Sequence, residues 1–296
     1  MGSLRESVIR TKSLEFALLE CGPKRGPLAL CLHGFPDSAR TFRYLLPRLG
    51  EAGWRAVAPW MRGYAPTAIP ADGRYQAAVL ARDVIELVDA LGASDAVVIG
   101  HDWGALAAHG AAILAPERVR RLVTLAVPHR GAGLALTTSY AQQKRSWYMF
   151  FFQTPLADAV VAADDFAFVE RLWRDWSPGY EPRADDLDGV KRALRAPGGL
   201  AAALGYYRAT FDPRLQDPAL AADQMRALGA EVPVRTLYLH GARDGCMGLE
   251  SLDGIESAYT GGLETRIVED AGHFLHLERR DVVETAILDF LGRPPG

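Results

Sequence analysis

The sequence predicts an α/β protein: a mostly parallel sheet covered by helices on both faces, interrupted by a helical insertion. Three observations carry this reading. Short apolar runs alternate with segments of helical period as far as Gly131. The same alternation resumes near Val232 and continues to the end of the chain. The interval between has helical patches and no convincing strand, and residues 140–211 hold 14 of the 27 aromatic residues.

The runs PLALCLHG (27–34), WRAVAPW (54–60), SDAVVIG (94–100) and VRRLVTLAV (119–127) read as buried strands. Between them, Phe42, Leu45, Leu46 and Leu49 fall on one helical face. So do Leu80, Val84, Leu87 and Leu91, with Gly92 as the stop. After the insertion come strands in VPVRTLYLHG (232–241) and TRIVED (265–270), then a final helix carrying Val283, Ile287 and Phe290. The expected division is a core over 1–132 and 214–296, with a helical cap over 133–213 rich enough in aromatic residues to roof an apolar pocket.

A chain of 296 residues with 49% hydrophobic content can bury a core of that size. A net charge of -3 and a pI near 6.2 argue against nucleic acid and anionic membrane as partners, and the arginines are dispersed. Three scattered cysteines, Cys21, Cys31 and Cys246, read as small core residues in a reducing cytosol. No apolar stretch approaches the ~18 residues of a membrane span. The opening MGSLRESVIR holds no signal-peptide core, and Glu6 breaks the myristoylation pattern, so a cytoplasmic protein is expected.

The segment VVIGHDWGALAAHG (97–110) reads as strand, tight turn and helix. Its centre, GHDWG (100–104), has the form of a nucleophile elbow. The turn is so sharp that side chains two positions either side of the nucleophile would collide, and glycine on both flanks relieves this. Asp102 stands where many such turns hold serine. Serine attacking an alkyl carbon would leave an ether that water does not readily cleave. A carboxylate leaves an ester whose carbonyl belongs to the protein, and water can then regenerate the aspartate. Asp102 therefore points to displacement at alkyl carbon, by epoxide opening or dehalogenation, rather than to ester or amide hydrolysis.

The remaining chemistry is found at strand ends. In LHGFPD (32–37), the backbone N–H of Phe35 is placed to form an oxyanion hole with that of Trp103. His33 supports that loop. EDAGHFLHLE (269–278) supplies His273 as a base, with His276 as its understudy, and LHGARDG (239–245) supplies Asp244 to orient it. The order nucleophile, acid, histidine is met by Asp102, Asp244 and His273. AVPHR (126–130), after the 119–127 strand, offers no acid, and Asp270 reads as a loop cap. His101, His109, His129 and His240 lack ligand spacing, and there is no phosphate loop or dinucleotide fingerprint, so neither metal nor cofactor is expected.

At these residues the chain resembles the epoxide hydrolases of the α/β-hydrolase fold. The likeness spans most of the chain and rests on HGFPD (33–37), RGY (62–64), GHDWG (100–104), VPH (127–129) and the loops of Asp244 and His273. It implies two cap tyrosines that hydrogen-bond the epoxide oxygen. The first maps to Tyr148 in RSWYMFFFQ (145–153). The second maps to Tyr207 in LGYYRAT (204–210), where the Tyr-Arg pairing selects it over Tyr206. Helix neighbours point about 100° apart, so one of the two should face the pocket. His33, Pro36, Trp147 and Phe151 are expected around a small apolar epoxide, with water as co-substrate. The likeness extends to dehalogenases, because an indole N–H after the nucleophile suits a halide, but Phe35 stands where those enzymes often place a second donor. A silent small-molecule receptor would need a broken triad. The chain departs from the family at Trp60, where aspartate is common, and at Ala65, where glycine is common.

Overall fold

The computed structural model describes residues 2–292. Its eight strands are β1 (Arg5–Arg10), β2 (Glu15–Cys21), β3 (Leu28–Leu32), β4 (Arg55–Pro59), β5 (Ala96–His101), β6 (Val119–Leu125), β7 (Thr236–Gly241) and β8 (Leu263–Val268). They form one sheet in the order β1-β2-β4-β3-β5-β6-β7-β8. Only β2 runs against its neighbours; every pair from β4 to β8 is parallel.

Strands β3, β5 and β7 are buried at every position, as expected of parallel strands covered on both faces. The first two strands are additions to those read from the sequence. β1 (RESVIR) is largely exposed, and its charged residues protect an edge, so it carries no run of apolar residues to read. The helix expected through Phe42 begins only at Leu45. Pro47 has no N–H to give, so it fits only in the first turn, and Phe42 falls in a separate 3₁₀ turn.

The helices are α1 (Leu45–Glu51), α2 (Ala77–Ala90), α3 (Trp103–Leu114), α4 (Gly131–Thr138), α5 (Tyr140–Arg145), α6 (Trp147–Phe151), α7 (Ala157–Trp176), α8 (Ala184–Arg195), α9 (Gly199–Phe211), α10 (Ala221–Gly229), α11 (Leu275–Glu278) and α12 (Arg280–Leu291). Helices α4 to α9 follow one another between β6 and β7 with no strand among them, and α10 returns to pack on α2 and α3. α7 is two helical pieces joined at Asp164, Asp165 and Phe166, all at positive φ. No helix of the described residues is long and apolar enough to cross a membrane.

The strand order sets the position of the site. After β3 the chain steps outward to β4; after β5 it steps the other way to β6. The carboxyl ends of β3 and β5 are therefore neighbours at a point where the winding reverses, and such a point leaves a crevice. Phe35 follows β3 and Asp102 follows β5.

Candidate active site

Asp102 connects β5 to α3 with φ 52° and ψ −119°, a backbone region that costs a non-glycine residue about 1–3 kcal/mol. The flanking glycines make the turn possible. A Cβ on Gly100 would lie 2.3 Å from the Gly104 carbonyl oxygen, and one on Gly104 would lie 2.1 Å from that of Leu32. Leu32 closes the buried strand β3, so its carbonyl has no room to retreat. Gly104→Ala is expected to destabilise the fold by about 3 kcal/mol, read from the denaturant midpoint. A wild-type midpoint would contradict the close approach. Gly34 is needed for a different reason: its Cβ would sit 2.2 Å from Asp102 Oδ1.

That carboxylate oxygen accepts the Phe35 backbone N–H at 2.8 Å. The Trp103 amide opens α3, where the first N–H groups have no intrahelical acceptor. Opposite, His273 Nε2 stands 3.7 Å from Asp102 Oδ2, and its Nδ1–H donates to Asp244 Oδ2 at 2.9 Å. Asp244 Oδ1 accepts from the backbone N–H groups of Cys246 and Met247 at 2.7 and 2.8 Å. Burial opposes charge on both partners. Even so, the His273 imidazolium holds the Asp244 carboxyl below its usual range, and Asp244 with Asp102 holds His273 well above its own.

Both loops are fastened from above. The Trp176 carbonyl, at the end of α7, accepts from Gly245 N–H at 2.9 Å and His273 N–H at 3.0 Å. From below, His101 Nε2–H donates to the His273 carbonyl at 2.9 Å, and burial lowers the His101 pKa to about 3, so this ring is neutral.

A cavity of about 710 Å³ is lined among others by Asp102, Trp103, Tyr148, Tyr207 and Cys246. Tyr207 lies within 5.1 Å of Trp103 and 5.6 Å of Tyr148 between ring centroids. Its hydroxyl is buried beside the Trp103 side chain, and among the described residues it has no hydrogen-bond partner of good geometry. The Tyr148 hydroxyl meets Cys246 Sγ at 3.3 Å. Burial, with the Asp102 charge adding to it, raises both phenols well above their usual range, so both keep their protons. Tyr206 points elsewhere and donates to the Arg62 carbonyl at 2.7 Å.

Residues 27–280 match the α/β hydrolase fold family. An epoxide hydrolase of Caballeronia sordidicola is 30% identical over 98% of this chain and 94% of its own length. The chain belongs to the α/β-hydrolase-fold epoxide hydrolases. Epoxide hydrolase A of Mycobacterium tuberculosis is 28% identical over 98% of both chains. The crystal structure of the Bacillus megaterium epoxide hydrolase with an inhibitor superposes with a TM-score of 0.82, at 26% identity, over 96% of this chain and 99% of that one.

In this α/β hydrolase the four residues expected around the substrate take other positions. Trp147 is 46% exposed and packs on Phe151 and Phe168, on the outer side of α6. Phe151 stacks on Phe168 in that same cluster, outside the cavity lining. One turn of helix carries Tyr148 inward and so turns Trp147 out. Pro36 holds the cap through its carbonyl, which accepts Trp173 Nε1–H at 2.8 Å. His33 is buried beneath its loop. Its Nδ1–H donates to the Gly34 carbonyl and its Nε2 accepts the Met61 N–H, both at 2.9 Å; burial lowers its pKa to about 4. It ties the 33–37 loop to Met61 and does not line the cavity.

His276 and Asp270, the weaker sequence candidates, stand apart from the reacting groups. His276 Nε2 is bonded to Thr41 Oγ1, and Asp270 pairs with Arg243 on the surface. Two buried clusters have the donor types for a metal ion, Asp37/His101/His276 and Asp244/Cys246/His273, each with ligand atoms within 4.8 Å of one another. In the second, His273 Nδ1 and Asp244 already satisfy each other.

Sequence reasoning missed three contributors: Cys246, Trp176 and the buttressing role of His101. Cys246 lies two residues beyond Asp244, so the acid loop itself was the available signal. A backbone carbonyl such as that of Trp176 leaves no trace in residue type.

Proposed function

We propose that this hydrolase converts a small apolar epoxide to a vicinal diol through an ester on Asp102. The supporting observation is the buried Tyr207 hydroxyl, without a partner of good geometry among the described residues, on a ring packed against Tyr148, both residues lining one cavity with Asp102. An Asp102 oxygen attacks an epoxide carbon and the ring C–O bond breaks. The freed oxygen takes a proton from a tyrosine, so no bare alkoxide is left in an apolar site. Forming the ester removes the Asp102 charge, which had favoured the His273 imidazolium and disfavoured tyrosinate. The His273 proton then passes to the tyrosinate, which restores the phenol and leaves a neutral imidazole, oriented by Asp244, to act as a base.

In the second half, neutral His273 takes a proton from water as its oxygen attacks Cγ of Asp102. The oxyanion accepts from the N–H groups of Phe35 and Trp103. Collapse breaks the bond from Cγ to the substrate oxygen, which leaves as the second hydroxyl with the proton from His273, and the Asp102 carboxyl then gives its remaining proton to His273, restoring the starting carboxylate and imidazolium. Three unpaired, buried cysteines accord with a reducing compartment, and the proposal places the enzyme in the cytoplasm.

Diol formation from terminal and aryl epoxides, run beside bromide release from bromoalkanes, tests the chemistry. Diol without bromide supports it. Bromide without diol would replace it by dehalogenation, with the Trp103 indole as halide donor. The tyrosines have their own test: Tyr148→Phe with Tyr207→Phe should slow ring opening roughly a hundredfold or more, and each single change far less. Stopped-flow tryptophan fluorescence is the readout, since Trp103 and Trp176 lie against these rings. An unaltered alkylation rate in the double variant removes both from the mechanism.

A further inference from the structure

The cavity has a second polar station away from the nucleophile. His109 follows Asp102 by seven residues, two turns along the same face of α3, which places it about 10 Å away at about 1.5 Å of rise per residue. His129, from the loop after β6, packs beside it with ring centroids 5.2 Å apart. Both rings are buried and both line the cavity, with apolar Leu106, Val127 and Pro128 and with Arg130, whose guanidinium donates to the Gly229 carbonyl.

Their partners decide both tautomers. His129 Nε2 lies 2.7 Å from the Ala230 carbonyl, which can only accept, so the proton is on Nε2 and Nδ1 carries the lone pair. The Tyr259 hydroxyl oxygen accepts the His129 backbone N–H at 3.0 Å and meets His109 Nε2 at 3.1 Å. Among the described residues that nitrogen is the phenol hydrogen's acceptor, so His109 carries its own proton on Nδ1. Burial lowers both imidazole pKa values, and both rings are neutral. Neither Nδ1 has a protein partner among the described residues. On two cavity-lining rings 5.2 Å apart, the pair thus holds one N–H donor and one lone pair without a partner among the described residues.

An alkyl group placed there leaves both unpaired, and a carboxylate faces the His129 lone pair. A group that both donates and accepts satisfies the two together. We infer that His109 and His129 form a distal recognition site for an epoxide bearing a hydroxyl or primary carboxamide about 10 Å from its reacting carbon. The inference rests on the epoxide-opening reading above and names the substrate class for it.

The test compares kcat/KM for two terminal epoxides of equal length, one ending in a hydroxymethyl and one in an ethyl group, with styrene oxide as a short reference. The wild-type enzyme and the double variant His109→Gln/His129→Gln are both assayed. Glutamine can keep the bonds to Tyr259 and Ala230 while placing nothing at the Nδ1 positions. The wild type is expected to favour the hydroxylated epoxide roughly tenfold or more. In the double variant that ratio falls toward one. Equal values in the wild type overturn the inference whether or not the variant folds, as does a preference that survives the double change. Styrene oxide separates the two levels. Its turnover without any distal preference rejects only the recognition site, whereas no diol from any epoxide rejects the epoxide reading and this inference with it.

Discussion

Asp102→Asn abolishes steady turnover of epoxides, by about 10⁴-fold or more. The expected size follows from what the change leaves in place. The amide oxygen still accepts the Phe35 N–H that Asp102 Oδ1 accepts at 2.8 Å, and the volume is the same, so the elbow keeps its shape. What is lost is the anion. A neutral amide oxygen is a poor nucleophile toward alkyl carbon, and no other carboxylate is in place to substitute, because Asp244 is committed to His273 and two backbone N–H groups. The new Asn side chain lies opposite the water-activating base, so slow deamidation should restore Asp102 and activity together. Diol formation that begins near zero and grows with incubation, in step with recovery of the aspartate by peptide mass, is the expected record. Full activity at once, with the asparagine intact, would reject Asp102 as the nucleophile.

The second large effect divides the reaction in two. His273→Gln leaves ring opening running but stops ester hydrolysis, so the enzyme is expected to consume about one equivalent of epoxide and gain its mass. The geometry gives the reason. His273 Nε2 is 3.7 Å from Asp102 Oδ2 and has no hydrogen-bond partner among the described residues, which leaves it free to act on a water between the two. Glutamine has no basic nitrogen to offer that water. Low pH should imitate the variant. In the free enzyme Asp244 and Asp102 raise the His273 pKa, and esterification of Asp102 takes one of these contributions away. Hydrolysis needs the neutral ring, so its rate falls as pH drops through the pKa of the ester state, which lies below that of the free enzyme. Wild-type enzyme quenched below that pKa should therefore carry the ester, and enzyme quenched above it should not. Intact-protein mass spectrometry checks both. Continued turnover by His273→Gln, with no adduct, would assign the base elsewhere.

Two features made so much of this site legible beforehand. The elbow is largely a local event: strand, sharp turn and helix follow within 97–110, and Gly100 is required by the Gly104 carbonyl four residues on, whereas Gly104 is required by Leu32 of the neighbouring strand. Asp244 and His273 are likewise announced by the strand end or the small residues that precede them. Residue type and spacing carry such information because the physics is short in range. The edge strand β1 escaped notice for the opposite reason. Its fate is decided by pairing with β2, and RESVIR has no pattern of its own that demands a strand.

The chain's order of residues by itself determined the alternating α/β architecture, the place of the helical insertion, the carboxylate at the turn, and the loops that bring Asp244 and His273 together. Each follows from periodicity or from sterics within a few residues. Tertiary structure decided the rest. It placed Tyr207 in the cavity with Asp102 and Tyr206 onto Arg62, faced Trp147 outward, and set Cys246 against the Tyr148 hydroxyl. It also brought the Trp176 carbonyl, from the cap, onto the loops of both Asp244 and His273. Those outcomes depend on which way a side chain or carbonyl points when segments tens of residues apart are packed together. That direction is selected by burial and by the partners packing provides, and it belongs to the folded chain as a whole.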